Sequence, residues 1–276
     1  MSNATILKPK PMTVLSGTNT LSGYAAANAA NDYMGVVWKA QSAGSALQWI
    51  IVDMGADVAV DTVVLLGLTG ALSTWTLRID AATQAQGSGF GAGTFHQYAS
   101  VPLLAGSAAT SSARGRAYWE APAGGPAAAR YFRIVIDTLV NNTAITIARV
   151  VLGTRIRPTR NFDFGAVFGL RDTGLADFSR RGVLLRTRGM KLRSVGLSFN
   201  SLYRDEVESF IHPLIEKVGG TGPIALILDP DAHAQRQNRI WFGPLTGDLG
   251  TIWARANAGF QWQANIVDLE SFAGDA

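Results

Sequence analysis

Residues 192–245 read LRSVGLSFNSLYRDEVESFIHPLIEKVGGTGPIALILDPDAHAQRQNRIWFGPL, and the spacing of their apolar residues changes twice. On both sides the apolar residues alternate or run continuously, as in strands, whereas in the middle they recur at three- and four-residue intervals. That spacing predicts one amphipathic helix at about 202–218 whose apolar face is buried. The residues predicted to form this face are Val207, Phe210, Ile211, Leu214, Ile215 and Val218.

Both ends of this helix carry boundary signals. Ser201 is the predicted N-cap, and Gly219 with Gly220 supplies a left-handed stop. Pro213 lies inside the helix, where a proline removes a backbone donor and clashes with the preceding turn. We therefore expect a kink near Ser209, or a helix in two short pieces.

The segment after the helix, residues 224–228, is an unbroken apolar run bounded by Gly222-Pro223 and Asp229-Pro230. Such a run predicts a strand buried on both faces, one of them by the helix. A β-sheet that carries one principal helix is therefore predicted for the second half of the chain.

The composition favours short strands joined by turns over helices. Of 276 residues, 47% are hydrophobic and only 16% are charged, and there are 30 glycines and 10 prolines. The length suggests two domains. The absence of cysteine excludes disulfides and thiolate metal sites. No apolar run is long enough to span a bilayer, and the first residues lack the layout of a secretory signal, so we expect cytoplasmic synthesis and no membrane insertion.

The net charge of +4 is unevenly distributed. Residues 1–154 contain 9 Lys/Arg and 7 Asp/Glu, residues 155–204 contain 11 and 3, and residues 205–276 contain 4 and 10. A basic block beside an acidic block is compatible with head-to-tail contact between subunits, with a solvated face or with DNA contact. We favour the contact between subunits.

The first half of the chain predicts an all-β sandwich. Residues 1–24 are interpreted as an N-terminal arm that leads into a first strand, and residues 86–93 as a glycine-rich loop tip. The strand candidates are QWIIVDMG at 48–55, VDTVVLLG at 60–67, TWTLRID at 74–80, RYFRIVID at 130–137 and TAITIARVVLG at 143–153.

A small-residue run followed by Tyr33 to Trp38 and then these strands, in this order, resembles the discoidin or galactose-binding-like jelly roll. The resemblance covers residues 25–154 and implies the option of carbohydrate binding through loops at one end. Its candidate contact residues, all aromatic or histidine and in or beside predicted loops, are Tyr33, Trp38, His96, Tyr98 and Trp119. Core positions are the alternative for such aromatic residues.

Two basic strand candidates follow the predicted boundary near 154–160, at 183–189 and 190–199. In the second, apolar residues alternate with a one-residue slip at Ser194, which suggests a β-bulge. The predicted apolar side consists of Met190, Leu192, Val195, Leu197 and Phe199, with Arg186, Arg188 and Arg193 pointing outwards.

Residues 160–270 contain, in order, a strand, an amphipathic helix, a buried strand and two Trp-containing strands. This order resembles that of the distal-tail and tail-tube proteins of long-tailed bacteriophages and gene transfer agents. This resemblance implies a tail-tube-like β domain at 155–276 that forms a ring around the tail axis. Unlike the simplest distal tail proteins, this chain carries its accessory sandwich first.

Catalytic signatures are missing from the sequence. His96, His212 and His233 are far apart, and none has a second ligand at metal spacing. Asp229 and Asp231 with His233 could hold a cation or act as acid and base in a hydrolase, but a turn capped by aspartates is the simpler interpretation. We therefore expect a protein that is not an enzyme and that has no cofactor.

The leading hypothesis is a structural component of a phage-like tail tip or baseplate, located in the virion tail and forming a homo-oligomeric ring. Its expected partners are itself, tail tube and hub proteins, and DNA only in transit. The alternative is a host-adhesion protein that binds a surface glycan through the first domain. The candidate subunit-interface residues are Arg186, Arg188, Lys191, Arg193, Asp205, Glu206 and Glu208.

Overall fold

A computed structural model gives the fold, and it describes residues 2–107, 114–255 and 259–271. The strands, in chain order, are β1 (Thr5–Leu7), β2 (Thr13–Gly17), β3 (Trp38–Gln41), β4 (Leu47–Val58), β5 (Thr62–Leu68), β6 (Thr76–Ala82), β7 (His96–Gln97), β8 (Val101–Pro102), β9 (Gly115–Glu120), β10 (Ala129–Asp137), β11 (Ala144–Ile147), β12 (Arg149–Gly153), β13 (Arg155–Ile156), β14 (Val167–Asp172), β15 (Leu175–Phe178), β16 (Leu184–Thr187), β17 (Lys191–Leu202), β18 (Pro223–Ile227), β19 (Ile240–Thr246), β20 (Thr251–Arg255) and β21 (Gly259–Ser271).

The principal helix, α1, covers residues 204–218 in three consecutive segments. An α-helical turn at Arg204–Glu206 leads into a π-helical segment at Val207–Ile211 and an α-helical segment at His212–Val218. Short 3-10 helices lie at Ala26–Ala30 and Arg236–Arg239. The predicted class, mainly β with a sandwich and one packed helix, is confirmed.

The described chain divides into two compact units. The first contains residues 2–107, 114–157 and 225–240, and the second contains residues 158–224, 241–255 and 259–271. Residues 2–24, 155–157 and 225–240 thus belong with the sandwich in addition to the predicted 25–154.

The reason is strand pairing within the first unit. Residues 225–227 of β18 lie antiparallel to β1, which in turn pairs with β13. Ile6 and Leu7 of β1 are fully buried, and β2 is the edge of a sandwich sheet next to β4. The segment interpreted as an arm therefore contributes two strands.

The core of the first unit lies between two layers of strands. One layer has the order β2-β4-β10-β6-β7, with β8 also on β6, and the other consists of β12-β5-β9 and of β3 with β11. Alternation along β10 sends Phe132, Ile134 and Ile136 into the core and Tyr131 and Arg133 to the outer face.

In the second unit β17 pairs with β14 and β21, and β21 also pairs with β19 and β20. Phe199 of β17 stacks on Trp262 of β21 with ring centroids 5.5 Å apart. The predicted apolar side of β17 is wrong at its start, since Met190 is 55% exposed whereas Arg193 is buried. The irregularity expected near Ser194 exists as a register shift between Leu192 and Ser194 in the ladder with β21.

Helix α1 differs from its prediction at the N-terminus. It begins at Arg204, and the carboxylate of Glu206 accepts a hydrogen bond from the backbone N–H of Tyr203, so Ser201 is not the N-cap. Its end is as predicted, because Gly219 adopts a φ of 55° directly after Val218.

The helix is not divided into two pieces at Pro213, but a π-helical segment directly precedes the turn that contains this proline. The π-helical segment Val207–Ile211 includes Ser209, the residue whose carbonyl an interior Pro213 would meet one turn back. Four of the six predicted apolar-face residues are buried, whereas Phe210 is 51% exposed. The wider π turn rotates the face relative to a regular α-helix, which is the reason for this error.

Candidate functional site

Three of the five candidate carbohydrate-contact residues are core residues. Trp38 is fully buried, and its Nε1–H donates a hydrogen bond to Thr20 Oγ1 at 2.9 Å. Tyr98 and Trp119 are also buried and form an edge-to-face pair at 4.9 Å. Burial raises the pKa of the Tyr98 phenol. We therefore remove Trp38, Tyr98 and Trp119 from the candidate site, because their rings have no free face for a sugar.

The other two candidates lie at the surface. His96 is half-buried with its ring 4.4 Å from that of Tyr98. Tyr33 is 76% exposed, on a loop with internal hydrogen bonds. Its N–H donates to Asn31 Oδ1 at 2.8 Å, and its carbonyl accepts from the Val36 N–H at 2.9 Å. Only this aromatic of the set combines exposure with a fixed backbone.

Next to Tyr33, Asp32 forms an ion pair with Arg149 at 3.1 Å. The guanidinium of Arg149 is buried, and burial lowers its pKa. Within the described residues, its Nη1 has no hydrogen-bond partner. The loop that presents Tyr33 is thus anchored to the first residue of β12 by a charged contact.

The outer face of the sandwich sheet carries a cluster that the sequence analysis missed. The loop interpreted as a flexible glycine-rich tip folds back, and its Phe90 is buried with a positive φ of 48°. Phe90 and Phe95 lie on the guanidinium of Arg133, at 4.7 and 4.9 Å. Arg133 also pairs with the fully buried Asp80 at 2.7 Å. The alternation of charged and apolar residues in β10 was the only sequence signal for this cluster.

A second ion pair on this face joins neighbouring strands. Arg130 Nε and Nη2 donate to the two carboxylate oxygens of Asp53, at 2.8 and 2.9 Å. The Arg130 hydrogen bond lowers the pKa of Asp53. The carboxylates of Asp53 and Asp80 are therefore each paired with an arginine of the first unit.

The second unit exposes many large apolar side chains along one stretch of the chain. This segment, residues 167–190, is called the apolar arm and includes β14 and the hairpin of β15 and β16. Every residue of these three strands is exposed. Its nine exposed large apolar residues are Val167, Phe168, Leu170, Leu175, Phe178, Val183, Leu184, Leu185 and Met190. The arm also carries five arginines and two aspartates, so it is both apolar and basic.

The basic candidates for the subunit interface separate into two kinds. Arg186, Arg188 and Lys191 are exposed, as predicted. Arg193 is only 8% exposed, and its guanidinium lies 4.5 Å from the ring centroid of Trp241. The prediction that Arg193 points outwards is therefore wrong, because the side chain belongs to the buried face of β17.

The acidic candidates lie on the first turns of α1. Asp205 and Glu208 are exposed, and Glu208 pairs with Arg204 at 2.7 Å. Glu206 is half-buried and accepts hydrogen bonds from the N–H and the hydroxyl of Thr159. Glu206 therefore has a role within its own unit, whereas Asp205 and Glu208 are exposed and Glu208 is paired with an exposed arginine of its own helix.

The possible metal or hydrolase residues are used in structural contacts. Asp229 forms an ion pair with Arg239, and Asp231 accepts hydrogen bonds from Ser2. His212 Nε2 lies 2.7 Å from Thr251 Oγ1. Among the described residues, no three histidine or acidic side chains come together in a way that could hold a metal ion.

In the part of the chain that the structure describes, no helix combines the length and apolarity that a bilayer crossing requires.

Comparisons with known proteins found likenesses among solved structures alone. No protein-family model and no curated protein matches the chain. A carbohydrate-binding module, CBM32-1, from a family 31 glycoside hydrolase of Clostridium perfringens has 15% sequence identity and a TM-score of 0.39, over 53% of this chain and 96% of that chain.

Two further structures match over the same share of the chain. The C-terminal domain of a chitobiase from Bacteroides fragilis has 17% identity and a TM-score of 0.39, over 55% of this chain and 99% of its own. A chitosan-binding module of a chitosanase/glucanase from Paenibacillus has 16% identity and a TM-score of 0.36, over 54% and 97%. Likeness at this level does not assign a function.

Proposed function

We propose that this chain is a non-enzymatic structural component of a phage-like tail tip that assembles with copies of itself through its second unit. The observation that carries the proposal is the apolar arm. Monomeric proteins rarely expose contiguous apolar patches larger than a few hundred Å². Nine large apolar side chains on one segment, each 49% to 76% exposed, are typical of a surface that another chain covers.

The complementary surface proposed on the next copy is the exposed side of α1. Phe210 is half exposed on this helix, which also carries the exposed carboxylates of Asp205 and Glu208. The arm offers apolar side chains together with Arg186 and Arg188. Opposite charges and apolar groups on different surfaces of one chain support a head-to-tail contact, which closes into a ring when the rotation between copies allows it.

The place in a virion tail rests on the order of elements in residues 160–270, which resembles distal-tail and tail-tube proteins. Tail tube and hub proteins are the proposed neighbours, and DNA is proposed to pass through the ring without being held. A sideways position of Arg186 and Arg188 suits this role, since a strongly basic lumen would retain the phosphate backbone in transit.

Association of the full chain tests this proposal. Sedimentation and electron microscopy of the isolated chain should show a closed oligomer. If the isolated chain stays monomeric, the same measurements are made with the other tail proteins present. The pair Phe178→Ser with Leu184→Ser should dissociate it, because both side chains are exposed on the arm. Tyr33→Ser is the matched control, as an equally exposed aromatic outside the arm.

Charge reversal at the proposed interface provides a second, independent test. Arg186→Glu with Arg188→Glu should prevent assembly, and Asp205→Lys with Glu208→Lys should partly restore it. Assembly that is unaffected by both the apolar and the charge variants would overturn the proposal.

Glycan binding by the first unit is the second candidate function. Tyr33 favours it, because an exposed ring on a hydrogen-bonded loop can stack on a sugar face without first being ordered. Binding of the full chain to host surface glycans should be lost in Tyr33→Ala and weakened in His96→Ala. Equal binding by Tyr33→Ala and the unmodified chain would remove this candidate.

A further inference from the structure

A polar groove crosses the exposed face of the β14-β17-β21 sheet in the second unit. Its cavity volume is about 550 Å³. Its lining includes Val167, Arg171, Ser194, Gly196, Gln263 and Asn265. None of these residues was singled out as a candidate by the sequence analysis.

Strand register brings the polar members of the groove into adjacent rows. Gly196 pairs with Val167 on one side and with Asn265 on the other, and Ser198 pairs with Gln263. Directly paired residues share one face of a sheet, so these side chains converge on the same surface. The side chain of Arg171 borders the groove on β14, the edge strand.

Glycines at the base of the groove leave space that a side chain would occupy. A Cβ atom at Gly196 would lie 2.7 Å from Asn265 Oδ1, and one at Gly169 would lie 2.9 Å from Ser194 Oγ. Larger residues would therefore displace the polar side chains that border the groove.

The polar side chains of the groove are not used by the fold. Across the described residues, the side chains of Arg171, Ser194, Gln263 and Asn265 form no hydrogen bond or ion pair with another residue. Polar groups elsewhere in the chain, such as Asp80 and Glu206, are paired within their own unit. The groove thus retains donors and acceptors for a bound molecule.

The chemistry of the lining narrows the class of ligand. Two carboxamides and the hydroxyls of Ser194, Ser198 and Thr246 can donate to and accept from neighbouring hydroxyl groups of a ligand. The lining has no acidic side chain to attract a cation, and its one guanidinium suits a carboxylate. Val167, which is 66% exposed, adds an apolar edge for the C–H face of a ring.

We propose that this groove binds a saccharide that carries a carboxylate, with Arg171 on the carboxylate and with Gln263, Asn265 and Ser194 on the hydroxyl groups. The inference goes beyond the proposed function, since it rests on the polar side chains of a sheet face. Arg171 and Val167 belong to the apolar arm, whereas Ser194, Gln263 and Asn265 lie outside it. The inference also differs from the glycan candidate of the first unit, which depends on Tyr33.

Calorimetry and ligand-observed NMR on the full chain test the groove. Digalacturonate and N-acetylneuraminic acid are the probes, and galactose is the neutral comparison. The unmodified chain should bind at least one acidic probe more tightly than galactose. Arg171→Gln should weaken binding of that probe by about tenfold, equivalent to about 1.4 kcal/mol, and should remove the preference for the acidic sugar.

Further variants separate the groove from other sites. Asn265→Ala and Gln263→Ala should weaken the binding of acidic and neutral probes alike. Gly196→Val should abolish binding, because the added side chain would occupy the groove. Arg186→Gln removes the same charge outside the groove and should bind as the unmodified chain does. Tyr33→Ala and the dissociating pair Phe178→Ser with Leu184→Ser should also retain binding, so failure of either proposed function would not be confused with failure of this one.

Two outcomes would overturn the inference. One is the absence of binding of both acidic probes to the unmodified chain at millimolar concentration. The other is unchanged affinity in Arg171→Gln and Asn265→Ala, whose side chains lie at the surface and whose removal leaves the buried core intact.

Discussion

Strand β10 of the sandwich and the hairpin of β15 and β16 in the apolar arm are both rich in apolar residues, but their environments are opposite. β10 is hydrogen-bonded on both sides, by β4 and β6, and Ile134 on its inner face is 1% exposed. β16 pairs with β15 alone in the described chain, and its Leu184 and Leu185 are about half exposed. Apolar content therefore does not decide burial. A second layer of structure has to cover the strand.

The difference has an energetic consequence. Burial of a large aliphatic side chain stabilises by about 1.5–3 kcal/mol relative to exposure. In β10 that free energy contributes to folding of the unit. In the apolar arm the side chains stay exposed in the single chain, so this free energy is gained only when another chain covers them. For this reason the apolar arm is the basis of the proposed association.

The largest expected effect is on the sandwich core at a residue first considered as a ligand contact. Trp38→Ala should lower the free energy of unfolding by about 3–5 kcal/mol, because the buried indole and its hydrogen bond to Thr20 are lost. Tyr33→Ala should change it by no more than about 0.5 kcal/mol. Urea unfolding of the monomeric chain measures both. Equal stability of the two variants would contradict the assignment of Trp38 to the core.

A matched pair of aliphatic substitutions contrasts the two regions directly. Ile134→Ala should cost about 2–5 kcal/mol of stability through the cavity it leaves in the sandwich. Leu185→Ala should stay within about 0.5 kcal/mol in the monomer, since its side chain is 56% exposed. Thermal and urea unfolding at low protein concentration would measure the difference. A comparable loss in both variants would mean that the arm is packed in solution.

Substitutions of acidic residues should also affect stability more in the sandwich than in the apolar arm, but with a smaller change in the free energy of unfolding. Asp80→Asn removes a buried carboxylate that pairs with both Arg78 and Arg133, and should cost about 1.5–3 kcal/mol. Asp177→Asn on the exposed β15 should be neutral within about 0.5 kcal/mol. The comparison fails if the two substitutions have the same effect on the urea midpoint.

The smallest expected effect is a dependence on pH at the outer face of the sandwich. The hydrogen bond from Arg130 lowers the folded pKa of Asp53, so its stabilisation is present above the unfolded value of about 3.9 and is lost as pH falls through the folded pKa. The difference in unfolding free energy between the unmodified chain and Asp53→Asn should be about 1 kcal/mol at neutral pH and should decline on acidification.

Arg130→Gln is the control for this titration, because it removes the donor and leaves the carboxyl group. In that background the pH-dependent effect of Asp53→Asn should be smaller, because only the hydrogen bond from the Gly55 N–H still lowers the pKa of Asp53. A pH dependence of undiminished size without Arg130 would contradict the assignment to Arg130.

Local patterns predicted the elements well and the environment of single side chains less well. The alternation in β10, the buried run of β18 and the glycine stop after Val218 all depend on neighbours in sequence, and each was predicted. Local patterns did not distinguish the exposed aromatic candidates from the buried ones. Tyr33 and Trp38 lie five positions apart, yet one is 76% exposed and the other fully buried.

The sequence by itself determined the mainly β class, the single helix and the uneven distribution of charge, because propensity, periodicity and composition act over short distances along the chain. Tertiary structure decided which apolar residues are covered, since burial requires a second layer that distant residues supply. It placed Arg193 over Trp241, left the arm exposed and aligned Gly196 with Asn265 in the groove. Those contacts join residues far apart in sequence, and no local pattern encodes their register.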